Sequence, residues 1–150
     1  MISWNKVITQ SDVDSLLEIY GGFHDACIIN LNYTSGANVD ESLSMIYGAP
    51  EDSKVSVVFK RQWKPASVEL LFEGMRKMNI AGWQNNYSCD IIHCYLAFHN
   101  DLIKGLDQNL IVWADSCSFN PKELPDRKIL QEPMTTYIIS NSLKWRIIAD

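Results

Sequence analysis

The sequence predicts a mainly β fold, α+β by content: an antiparallel sheet of about seven or eight strands, curled on itself or packed as a sandwich, with one N-terminal helix. Short runs that alternate apolar and polar residues recur at roughly ten-residue spacing along the chain. Only one stretch, near the start, carries the apolar repeat of an amphipathic helix. A doubly wound parallel sheet would need a helix after nearly every strand, and the pattern does not supply them. With 150 residues, 47% of them hydrophobic and five of them tryptophan, residues 1–150 are expected to form a single β-rich domain with a substantial core.

The helix is "SDVDSLLEIYGG". Val13, Leu16, Leu17 and Tyr20 repeat on one face, Ser11 and Asp14 have capping-box spacing, and Gly21 supplies the stop. From Asp25 the period becomes two, so that Cys27, Ile29, Leu31 and Tyr33 are expected on one side of a half-buried strand and Asn30 and Asn32 on the other. "TSGANVDES" has turn chemistry and leads to a second strand in "SLSMIYG".

"KVSVVFKRQW" alternates through Val55, Val57 and Phe59, and "ASVELLFEG" through Val68, Leu70 and Phe72, which makes them neighbouring antiparallel strands. "MRKMNIAGW" fits either a strand or a bent connection. "CDIIHCYLAFHND" is expected as one long strand with Ile92, Cys94, Leu96 and Phe98 on one face, paired as a hairpin with "GLDQNLIVWADSC". Residues 120–133, rich in proline and charge, form an excursion loop. "TTYIISNSLKWRII" closes the chain as one or two strands, with Leu143, Trp145 and Ile147 opposite Lys144 and Arg146.

The net charge of -5 disfavours nonspecific attraction to nucleic acid or to an anionic membrane surface and favours a basic partner. No apolar run reaches the length of a membrane span, and the N-terminus lacks the pattern of a signal peptide, so a cytoplasmic location is expected. The four cysteines, 27, 89, 94 and 117, are irregularly spaced and are expected as free thiols. There is no GxSxG, P-loop, GxGxxG or HExxH pattern, and neither a catalytic residue nor a cofactor is assigned.

Three groups of residues remain as candidates for binding. His24 and Asp25 are the types of a general base and its orienting carboxylate, but neighbours on a strand diverge across the pleat, so they are expected to shape the helix exit. His93 and Tyr95 share a face with Cys89 and His99, and zinc favours His and Cys. An extended strand would hold His93 and His99 about 20 Å apart, leaving Asp115 or His24 to complete any site, and no metal is assigned. Trp113 with Asp115, and Trp145 with Arg146, are of the types that fill a core or anchor an interface. The basic run "FKRQWK" is expected as a solvated hairpin end.

The segments "GGFHDACIINLNY", "VELLFEGMRKMNI" and "SLKWRII" resemble a group of small bacterial proteins that includes the Imm50-like immunity proteins of polymorphic toxin systems, with Phe23-His24-Asp25 the distinctive part. The resemblance implies binding and sequestering of a toxin domain and carries over no catalytic residue. The expectation is therefore a non-catalytic cytosolic binding protein with a protein partner, a basic toxin domain being one form of it. The alternative is a small enzyme or ligand-binding domain whose pocket is lined by His24, His93, Tyr95 and Asp115. A third is self-association through an exposed sheet edge.

Overall fold

The computed structural model describes residues 3–85, 87–123 and 134–149. Nine strands and one α-helix follow one another as β1 (Asn5–Val7), α1 (Gln10–Ile19), β2 (Ala26–Thr34), β3 (Asn38–Val39), β4 (Met45–Ile46), β5 (Lys54–Arg61), β6 (Ser67–Asn79), β7 (Tyr95–His99), β8 (Leu110–Ala114) and β9 (Tyr137–Ala149). Seven of them make one antiparallel sheet in the order β2-β5-β6-β9-β8-β7, with β1 beside the second half of β9, and β3 and β4 form a separate two-stranded arm. The mainly β antiparallel architecture read from the alternation is the one the chain adopts, as a single curled sheet that does not close into a barrel. The curl brings the sheet's ends together, since Ala26 of β2 bridges to Ile91, just ahead of β7.

Alternation dictates the middle of the sheet. Val55, Val57 and Phe59 of β5 and Val68, Leu70 and Phe72 of β6 are fully buried on the concave face, where Val13 and Leu16 of α1 and Tyr20 just after it pack on them with Ile111, Trp113 and Ile138. The opposite face of β5, β6 and the second half of β9 carries a cross-strand charge ladder. Arg146 donates to Glu69 at 2.7 Å and 2.6 Å and stacks 4.3 Å over Trp4, while Lys144 and Lys54 approach Glu73 at 3.0 Å and 3.5 Å. Burial works to raise the Glu73 carboxyl, but the bonds and charges of Lys144 and Lys54 hold it below the usual carboxylate range. That face is thus self-compensated.

At β7, β8 and the first half of β9 both faces of the sheet are covered. Ile111, Trp113 and Ile138 point into the main core, while Leu110, Val112, Ala114, Tyr137 and Ile139 form a second cluster with Tyr95, Leu102, Ile103 and Phe119. A strand covered on both sides reads as a continuous apolar run, which is why "LIVWA" and "YII" do not alternate.

Several expectations are corrected. Helix α1 begins two residues early, because Thr9 and Asp12, not Ser11 and Asp14, close the capping box. In β2 a bulge between Ile28 and Asn30 shifts the register, so Ile28 and Leu31 pack on the core while Ile29 and Tyr33 are 55% and 47% exposed. The long strand expected from Cys89 shortens to Tyr95–His99, because residues 89–94 run as irregular chain tied to the helix exit by the Asp25–Ile91 and Cys94–Gly22 backbone bonds. The closing segment is one 13-residue strand, and β1 was not foreseen. Of the excursion expected over 120–133, residues 124–133 lie outside the described residues.

Candidate functional site

The helix exit is built by backbone geometry. Gly21, Gly22, Phe23 and Asp25 all have positive φ, at 59°, 63°, 64° and 56°. Glycine adopts this region freely; Phe23 is held there by burial, its ring packed at 4.9 Å against both Tyr20 and Phe59 and 6.0 Å from Trp113. The Asp25 amide donates to Ile91 and the Cys94 amide to Gly22, at 2.8 Å and 3.1 Å. A Cβ on Gly22 would stand in ordinary contact with Nδ1 of His93, at 3.4 Å, so what the position asks of glycine is its φ and not its size.

Because Asp25 is in a turn and not on a strand, the expected divergence of His24 and Asp25 does not occur. Nδ1 of His24 lies 3.1 Å from Oδ1 of Asp25. The approach falls outside hydrogen-bond geometry, and this buried Nδ1 has no hydrogen-bond partner among the described residues. The His24 ring meets that of His93 edge-on, 5.5 Å between centroids, and that of Trp63 at 6.0 Å. The joint therefore gathers two imidazoles, a carboxylate and an indole.

The other candidates lie elsewhere. Tyr95 is on the second cluster, its hydroxyl 2.6 Å from Nε2 of His99, so His93 and Tyr95 belong to different surroundings. Asp115 accepts from the Tyr87 hydroxyl with Oδ2, while its buried Oδ1 has no partner among the described residues. Burial pushes its carboxyl up to about 6. Trp113 is fully buried at the centre of the core; beside it lies the Cys94 thiol, which burial pushes up to about 12. Trp145 and Arg146 face opposite ways, the tryptophan into the core and the arginine onto Glu69. All four cysteines are free, and among the described residues no three His, Cys, Asp or Glu side chains are grouped as a metal would require.

Arg61 also departs from the expected solvated run. It is buried at 7% exposure, donating to the carbonyls of Pro65 and Lys64 at 2.8 Å and 3.0 Å and to that of Ile19, at the end of α1, at 3.4 Å.

Compared with protein-family models, curated proteins and solved structures, the chain matches none. The most unusual surface of the molecule is a stretch whose sequence predicts only a turn and a strand. Every residue from Ala37 to Asp52 is exposed, although Val39, Leu43, Met45, Ile46 and Tyr47 are large and apolar. Leu43 is 85% exposed and Tyr47 78%. The same arm carries Asp40, Glu41, Glu51 and Asp52 and no lysine or arginine between Ser35 and Ser53.

The arm has a defined shape. Its tip is closed by Asp40, which accepts from the Ser42 hydroxyl at 2.7 Å and from the Ser44 and Ser42 amides at 2.9 Å each; the hydroxyl bond first, then the Ser44 amide, hold its carboxyl below the usual range. Its root is locked by Gly36 and Gly48, at φ 80° and 71°, where a Cβ would strike Asp52 at 2.6 Å or the Gly36 carbonyl at 2.8 Å. Apolar residues set among carboxylates with no base were the signal in the sequence that could have found this surface.

Proposed function

We propose that the protein is a non-catalytic binding module that docks through the β3–β4 arm onto a basic surface of a protein partner. The observation that carries this reading is the arm itself: five large apolar side chains held in water on a locked root, ringed by four carboxylates that have no ion-pair partner among the described residues. Exposed apolar clusters of this kind mark interaction sites, and the uncompensated charge selects a partner of opposite sign. A pre-shaped hairpin also loses little freedom on binding. The two-stranded arm buries nothing of its own, so its persistence is owed to its root and tip bonds.

An immunity-type role, in which a basic toxin domain is sequestered, agrees with the resemblance of the Phe23-His24-Asp25 segment and with this charge. His24 and Asp25 then serve the fold of the helix exit. No helix among the described residues is long and apolar enough to cross a membrane.

The test is affinity capture from the native host with the wild-type chain, with Leu43→Asp/Tyr47→Asp, and with Asp40→Asn/Glu41→Gln/Glu51→Gln/Asp52→Asn, each at low and high salt. The expected result is a captured protein of net positive charge that is lost with either variant and released by salt. Retention of the same protein by both variants, or capture of none by the wild type, overturns the reading.

A further inference from the structure

On the side of the sheet away from α1, the second apolar cluster leaves a cavity of about 390 Å³, within the roughly 300–1,000 Å³ of small-molecule sites. Leu110 of β8 and Ile139 of β9 make its floor, and Leu102, Ile103 and Pro121 its sides. The two loops that supply those sides are tied together by the Lys122–Asp101 ion pair at 2.5 Å. Arg76 and Lys77 complete the lining, both exposed above the buried floor.

The backbone places these two cations deliberately. Arg76 is the extra residue of a bulge, where the β6–β9 register shifts between Met75 and Lys77. Two residues before it, Gly74 has φ 67° and no room for a Cβ, which would lie 2.3 Å from Nδ2 of Asn141. That glycine thus admits the Asn141 side chain, whose Oδ1 accepts from Nε of Arg76 at 3.0 Å and from Nε2 of Gln108 at 3.1 Å. The Gln108 Oε1 in turn accepts from Nη2 of Arg76 at 2.6 Å.

Both partners of the guanidinium are neutral amides. They fix its orientation and leave its charge uncompensated, and neither Arg76 nor Lys77 is in an ion pair among the described residues. An apolar cavity with an oriented, unneutralised guanidinium and an ammonium in its lining is complementary to one kind of ligand.

We propose that this cavity binds a small amphipathic anion, its apolar chain or ring against Leu110, Ile139 and Ile103 and its carboxylate or equivalent anionic group on Arg76 and Lys77. The site is independent of the β3–β4 arm.

The probes are decanoate and decanol, which share an apolar chain and differ in charge. Methyl NMR of the leucines and isoleucines reads the binding. Decanoate is expected to give saturable shifts at Leu102, Ile103, Leu110 and Ile139, and to bind about ten-fold more tightly than decanol, the worth of a charge-assisted bond. Arg76→Gln/Lys77→Gln is expected to remove that preference while leaving decanol binding unchanged, and Leu102→Trp to block both. The wild-type comparison decides even where a variant fails to fold. No saturable shift, equal binding of the two probes, or shifts confined to residues 37–48 would overturn the proposal.

Discussion

The guanidinium of Arg61 lies 4.3 Å above the ring of Tyr20, and both are buried. From that position Arg61 reaches the last carbonyl of α1 and two carbonyls of the turn between β5 and β6, so one side chain joins the helix end to the sheet. The helix has no basic residue of its own in its last turn, and Arg61 supplies the positive charge there.

Arg61→Ala is expected to cost about 3 kcal/mol in chemical denaturation, by removing three hydrogen bonds from a buried guanidinium to backbone carbonyls together with the cation–π contact. Arg61→Lys should recover less than half of this, since a point charge cannot span the three acceptors. A loss within error of zero would show that water replaces the side chain.

Gly74→Ala is expected to destabilise by about 2 kcal/mol, combining the positive-φ penalty with displacement of Asn141. Introduced into an Asn141→Gly background, where the collision is absent, Gly74→Ala should cost only about 1 kcal/mol, from the backbone. No cost in that background would mean that the φ of 67° is relaxed freely.

Asp115 gives the fold a pH dependence. Its carboxyl is raised from 3.8 to about 6, so the native state retains a proton that the unfolded chain releases between those values. This contribution to stability is fully present below the lower value and is lost as pH rises through the upper one. Asp115→Asn keeps a side-chain acceptor for the Tyr87 hydroxyl and removes the cost of ionising the buried acid. It should stabilise by about 1 kcal/mol above pH 6, a figure discounted for partial exposure, and give no gain in acid. Parallel stability–pH curves for variant and wild type would exclude Asp115 as the responsible group.

The arm variants should be silent in the free protein. Leu43→Asp and Tyr47→Asp, at 85% and 78% exposed positions, are expected to change unfolding free energy by no more than about 0.5 kcal/mol. A larger loss would place these side chains in a packed interface of the monomer and remove the ground for reading the arm as a docking surface.

The alternation through Val55–Phe59, Val68–Phe72 and Leu143–Ile147 was legible because each of these stretches buries one face only, which imposes a period of two on the residues themselves. The hairpin of β7 and β8 was legible from apolar runs flanking a turn-rich joint. The bulges at Ile29 and Arg76 were not, since the extra residue is defined against a partner strand. The helix start was ambiguous because Thr9-x-x-Asp12 and Ser11-x-x-Asp14 share one spacing. As for the candidate residues, Trp113 and Trp145 fit the core pattern, whereas nothing local told Tyr95 from His93 or placed Tyr87 against Asp115.

The sequence by itself determined a β-rich chain with one helix at its start, because periodicity, turn residues and the helix repeat are local properties. Tertiary structure decided that His24 and Asp25 meet, that Arg61 is buried and that the arm of residues 35–53 keeps its apolar side chains in water. The positive φ at Asp25 goes with a bond from its amide to Ile91, 66 residues away in the chain, and exposure is a property of what else packs nearby. Such contacts exist only once the sheet has curled and brought its two ends together.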